Sequence, residues 1–191
     1  MFLRKILSRP LPNTHFVTAR MPVRVGPDVV EAAFVTPVER ELNDATLGTV
    51  ADFEIIRDIH GEPEELVLNL LLITDAARAL GRIEAMLQSL DAPVGSTMRV
   101  DGTNEVRKFG MSQGLGLYLP TAETDADLRL DIVEIFTDAM EGAGLYQGSA
   151  QFGNLTALYF YGDSFNAMRK AITYALTHDP RCRNAETRRL T

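Results

Sequence analysis

The run from Leu66 to Ile73 constrains this chain more than any other stretch. It has strand length, and only Asn69 interrupts its apolar character. In a strand successive side chains alternate faces, so Leu66, Leu68, Leu70 and Leu72 point one way and Val67, Leu71 and Ile73 the other. A strand apolar on both faces belongs inside a sheet that is covered on both sides. The later run Leu155–Tyr161 has the same property, with Leu155, Ala157, Tyr159 and Tyr161 on one side and Leu158 and Phe160 on the other. Neither run approaches the ~20 apolar residues that a membrane helix needs.

The remaining elements are read around these two strands. From His15 to Val25, apolar and polar residues alternate, which predicts a half-buried strand that Gly26-Pro27-Asp28 breaks. Val30, Ala33, Phe34, Val38 and Leu42 then fall on one helical face. Pro37 either kinks that helix or starts it, and Thr36-Pro37-Val38-Glu39 fits a capping box that favours a fresh start. A strand over 47–56 and a turn at Gly61-Glu62-Pro63 lead into the central run. Asp75 is placed to cap a helix over 76–90, Asp91-Ala92-Pro93 ends it, and 97–100 is a short strand. Residues 101–113, polar and glycine-bearing, read as a connection.

The same order then recurs: a strand over 115–119, a helix over 125–141 ended by Gly142 and Gly144, and strands over 145–152 and 155–161 joined at Gly153-Asn154. A helix capped by Asp163 or Ser164 follows, ends at His178-Asp179-Pro180, and is succeeded by a strand over 186–190. Ile73-Thr74-Asp75 aligns with Tyr161-Gly162-Asp163, and Thr97-Met98-Arg99-Val100 with Thr187-Arg188-Arg189-Leu190. The expected class is therefore α+β, with two tandem β-α-β-β-α-β halves forming one compact unit. The divisions are an N-terminal arm over 1–13, halves over 14–101 and 114–191, and a connection over 102–113. By element order each half resembles the ferredoxin-like fold. Leu158-Tyr159-Phe160-Tyr161-Gly162-Asp163 before an amphipathic helix is also similar to uncharacterised bacterial proteins of toxin-immunity type.

The ferredoxin-like resemblance implies helices on one sheet face only. The other face would be too apolar to leave in water, so it needs cover. The candidates, in order of expectation, are the other half, a second copy and a different partner.

Composition narrows the classes of function. The lone cysteine, Cys182, excludes an internal disulfide and suits a reducing cytosol. The first ten residues lack both a signal-peptide core and a cleavage site, so secretion and membrane spanning are not expected. Lys5, Lys108 and Lys170 are the only lysines against many arginines, a balance that suits a GC-rich bacterial genome. Net charge is −7, which disfavours a nucleic-acid partner. Acids concentrate over 28–65 and 123–141, while 1–27 holds five bases and no acid.

No motif for chemistry stands out. His15, His60 and His178 lack metal-ligand spacing, and the acids around His60 read as a solvated turn. Cys182 lies between Arg181 and Arg183, which could lower its pKa, but no nucleophile signature surrounds it. Gly114-Leu115-Gly116 precedes a strand and so is no dinucleotide fingerprint. The candidate ligand or interface residues are Tyr118, Tyr146, Tyr159 and Tyr161, which offer area plus a hydroxyl, and Asp52 and Glu54, which share one side of a strand. No catalytic residue, metal site or cofactor is expected. The leading expectation is a non-catalytic cytosolic protein-binding module, of immunity type, acting through acidic surfaces on a protein partner or by self-association. The alternatives are a small-molecule sensor binding at the seam between the halves and an enzyme using strand-end carboxylates.

Overall fold

The computed structural model describes residues 14–27, 29–74, 76–120, 126–182 and 184–190, with backbone alone for 126–129. The first half runs β1 (His15–Met21), α1 (Thr36–Asp44), β2 (Gly48–Arg57), β3 (Pro63–Leu72), α2 (Ala76–Ser89) and β4 (Ser96–Val100). The second runs β6 (Gln113–Pro120), α3 (Ala126–Ala139), β7 (Leu145–Phe152), β8 (Leu155–Gly162), α4 (Phe165–His178) and β9 (Glu186–Leu190). Between them β5 (Val106–Phe109) pairs with β4, so the segment read as a plain connection adds a strand to the first sheet. The sheets are antiparallel, with orders β2-β3-β1-β4-β5 and β7-β8-β6-β9. Without β5, the first order is the second in the same sequence of roles. The chain is thus two ferredoxin-like halves of α+β class.

Two local expectations change. The strand from His15 stops at Met21, and 22–27 continues without a sheet partner, although Val23 and Val25 are fully buried. The fresh helix start at Thr36 does not form either. A π-helical turn, Glu31–Val35, leads straight into α1, and the Thr36 N–H bonds the Glu31 carbonyl five residues back. Pro37 has no N–H to give, and the widened turn accommodates it without breaking the helix. Glu39 does not close a capping box but accepts from the Thr49 hydroxyl (2.8 Å) and the Val50 N–H, tying α1 to β2. At α4 it is Ser164 whose side chain accepts from the Ala167 N–H. The proposed Asp75 cap lies outside the described residues.

Two apolar clusters form the core. One packs Leu115, Leu117, Leu119, Leu158 and Phe160 against Ile132, Phe136, Met168 and Ile172 of α3 and α4. The other joins Val17, Ala19, Met21, Leu66, Leu68, Leu70 and Leu72 of the first sheet to α1 and α2, and also takes in Tyr118, Ala157, Tyr159, Tyr161 and Leu190. The second sheet is therefore buried on both faces, by its own helices and by the first half. Cover for that apolar face comes from within the chain.

The first sheet differs. Register puts Phe16, Thr18, Arg20, Val67, Asn69 and Leu71 on the side away from its helices. Among the described residues none of these belongs to either cluster or packs against one, although Val67 is buried.

Candidate functional site

Three of the four candidate tyrosines meet at the seam between the halves. Register puts Tyr118, Tyr159 and Tyr161 on one face of the second sheet, opposite Ala157, Gly116 and Gly114. The two glycines leave the space the rings occupy. A Cβ at Gly116 would lie 2.6 Å from the Tyr118 ring, and one at Gly114 would lie 2.7 Å from the Tyr161 ring. This accounts for Gly114-Leu115-Gly116, which carries no phosphate chemistry.

The rings are at most 2% exposed, and buried phenols require partners. Glu62 supplies most of them. Its Oε1 accepts from the Tyr118 hydroxyl at 2.6 Å and from the Tyr159 hydroxyl at 3.3 Å. Its Oε2 lies 2.5 Å from Arg24 Nη1, which makes no aligned hydrogen bond, so the contact is an ion pair. The Arg24 backbone N–H donates to the Tyr161 hydroxyl at 2.7 Å. Arg188 closes the outer side, its guanidinium 4.3 Å from the centre of the Tyr118 ring and bonded to Glu186. A short backbone contact adjoins the cluster, where Gly26 N–H donates to the Gln147 carbonyl in a bulge of β7. At the next residue, Gly148, φ is +96°, and a Cβ would sit 2.6 Å from Val29.

Electrostatics fix the protonation of this cluster. Burial first, and Glu62 second, lift the Tyr118 and Tyr159 phenols well above their ordinary value. Burial also raises Tyr161, with the Arg24 N–H pulling the other way. All three stay neutral across the physiological range, Tyr118 and Tyr159 as donors to Glu62 and Tyr161 as the acceptor of the Arg24 N–H. Burial works against the charge of Arg24, but Glu62 outweighs it and holds the guanidinium charged. Neutral phenols and an ion pair join the two halves, with the rings and Glu62 buried and the Arg24 side chain about a quarter exposed (24%).

The other candidates lie elsewhere. Tyr146 is on the opposite face of the second sheet, its ring 5.6 Å from that of Phe160. Asp52 and Glu54 are exposed on β2, in register with Asn69 and Val67 on the face of the first sheet away from its helices. The acidic run over 28–65 is not one free surface: Glu62 is buried, Glu39 ties α1 to β2, Glu41 pairs with Arg82 and Glu65 with Arg20. In α3, Asp131, Glu134 and Asp138 are exposed. Near His60, Asp58 accepts from the His60 and Glu62 N–H groups, which shapes the turn and sends the Glu62 side chain inward. Among the described residues no group of three His, Cys, Asp or Glu side chains is placed to hold a metal ion, and no helix is long and apolar enough to cross a membrane.

Cys182 is buried, and that burial, with Asp179 nearby, pushes its thiol up to about 11 despite Arg181. Arg181 is itself engaged by Asp179, whose carboxyl it holds below the usual range. These two residues border a shallow groove of about 450 Å³ that includes Ile135, Tyr174, Ala175, His178 and Pro180 and none of the candidate residues. Tyr174 is 72% exposed there and stacks on His178 at 4.1 Å.

Reading by sequence missed Glu62 and Arg24. The available signal was indirect: three tyrosines on one strand face need acceptors, and an acid next to Pro63 at the start of a central strand is one of few that can reach inward.

No family model matches the chain, and no curated protein matches it. Solved structures match over nearly the whole length but loosely. A Galdieria sulphuraria protein described only as unknown is 12% identical, over 93% of this chain and 97% of its own, with a TM-score of 0.31. The regulatory subunit of aspartate kinase from Thermus thermophilus is 13% identical, over 84% and 93%, with a TM-score of 0.28. Chlorite dismutase from Candidatus Nitrospira defluvii is 11% identical, over 97% and 90%, with a TM-score of 0.32. At such scores the likeness carries no functional argument, and the assignment of two ferredoxin-like halves rests on the chain's own topology.

Proposed function

We propose that the chain is a non-catalytic protein-binding module whose contact surface is the face of its first sheet away from its helices. One observation carries this reading: the second sheet is packed on both faces, while the first presents a row of side chains that no apolar cluster absorbs. That row mixes half-buried Phe16 and Leu71 and buried Val67 with charged and polar groups, the composition of a surface that is wet alone and closes on a partner. Asp52 and Glu54 form its acidic edge, where a basic group of a partner protein would dock, as the immunity-type reading requires. Among the described residues the seam phenols and Glu62 are buried, which gives the sensor reading less support, and the groove beside α4 is bordered by one carboxylate, Asp179.

The test is a photo-crosslinking amino acid placed at Val106, exposed on this face, and in a control at Tyr174, exposed on the helix side of the second half. Protein adducts formed in cells from position 106 and not from 174 support the reading. Adducts that form equally from both positions, or from neither, refute it.

A further inference from the structure

We infer that the occupant of this face is a second copy of the chain, stacked about a twofold axis that runs along the strands. The inference rests on the proposed contact surface and adds the identity of the partner.

The pattern of charge across the face is the evidence. Reading the register from β2 to β5, one row is Glu54, Val67, Arg20, Thr97 and Lys108. The next is Asp52, Asn69, Thr18, Arg99 and Val106. Acids therefore sit on the β2 side and bases on the β4–β5 side, with β1 in the middle. Among the described residues Arg20 pairs with Glu65 of β3, while Asp52, Glu54, Arg99 and Lys108 are exposed.

Such a face is complementary to itself in one orientation. Two sheets stack face to face when related by an axis lying between them. An axis across the strands would place β2 on β2 and set acid against acid. An axis along the strands places β2 of one copy over β5 of the other and β1 over β1. Glu54 then meets Lys108 of the second copy within the same row, and Asp52 lies diagonal to Arg99 of the second copy. Thr18 and the half-buried Phe16 meet their equivalents at the centre. The two Arg20 side chains also approach one another, each held by its own Glu65. Five strands about 4.8 Å apart and roughly seven residues long give a footprint of roughly 500 Å² per copy, below the ~800 Å² of a standard interface. The dimer is accordingly a reversible one, seen only across a concentration series.

The test is solution mass by sedimentation or light scattering over that series, on the wild type, Glu54→Lys, Lys108→Glu and the double variant. Both positions are exposed, so folding is unaffected. Each single reversal sets like charge against like charge twice, because the axis repeats the contact. The wild-type mass is expected to rise from 21.1 kDa towards twice that value. Each single reversal weakens association at least tenfold, raised salt weakens the wild type, and the double variant recovers, because the pair is exchanged and not lost. A monomer at every concentration overturns the inference. So does a dimer indifferent to both reversals, which would have formed through another surface. If the wild type stays monomeric but crosslinks from position 106 to a different protein, the second copy is wrong while the contact surface is identified. If position 106 crosslinks to nothing, the proposed function fails with it.

Discussion

Removing Glu62 tests the seam at its most connected point. In Glu62→Ala two buried phenols lose their acceptor and the Arg24 guanidinium loses its counter-ion. An orphaned buried donor costs about 1–3 kcal/mol, and breaking a buried ion pair from one side about 3–5 kcal/mol. These costs overlap, because water admitted by the shorter side chain can solvate several groups at once. Arg24 keeps about a quarter of its side chain in solvent (24%), which discounts the ionic part further. The expected loss is therefore about 2–4 kcal/mol, or roughly 5–10 °C in Tm for a chain of this size. Urea unfolding followed by circular dichroism measures it, with an unchanged slope showing that the folded state is otherwise intact. Glu62→Gln, which keeps an acceptor for Tyr118, should cost about half as much. Arg24→Met with Glu62→Leu should cost less than Glu62→Ala alone, because no charge is left unpaired. A loss below about 0.5 kcal/mol for Glu62→Ala would mean that the cluster is bystander chemistry and that apolar contact alone joins the halves.

Three further outcomes follow from the same geometry. Since burial raises the phenols of Tyr118, Tyr159 and Tyr161 in the folded state, their contribution is fully present below the ordinary value of about 10 and is lost as pH rises through the raised values, so alkaline titration should unfold the protein as tyrosinate absorbance appears; tyrosinate forming near the ordinary value with the fold intact would contradict this. Cys182 should react with a thiol-specific alkylating reagent at pH 7 at least tenfold more slowly than in urea-unfolded protein, given its burial and raised pKa; equal rates would place it at the surface. Gly148→Ala should destabilise by about 1–3 kcal/mol in a denaturant titration, because a Cβ at φ +96° meets Val29 and the Gly26 backbone across the seam; a neutral substitution would mean that the two segments are not held at this distance.

Much of the architecture was legible because its signals are periodic. The alternation of Leu66–Leu72 and the stripes of α2 and α4 lie within a residue or two of where periodicity puts them. β5 was not legible: Val106-Arg107-Lys108-Phe109 is short and mostly exposed, so its pairing with β4 carries little apolar signature. The start of α1 was misread because a capping box and a π-helical turn before Pro37 share the same letters. At the seam, the tyrosine row was visible in sequence, but its partner was not. Glu62 lies among acids that do face water, and only the turn built on Asp58 distinguishes its direction. The charge gradient across the first sheet was invisible for a different reason. It depends on strand order, which brings β2 and β5 to opposite edges, and strand order is not written in any one segment.

Hydroxyl-radical footprinting of the dilute protein would test the asymmetry on which the account rests: a closed seam and an open face on the first sheet. Tyr118, Tyr159 and Tyr161 should remain unmodified at every concentration, while Phe16 and Leu71 react when dilute and become protected as concentration rises. Modified seam tyrosines in folded protein, or a Phe16 protected even at the lowest concentration, would contradict it.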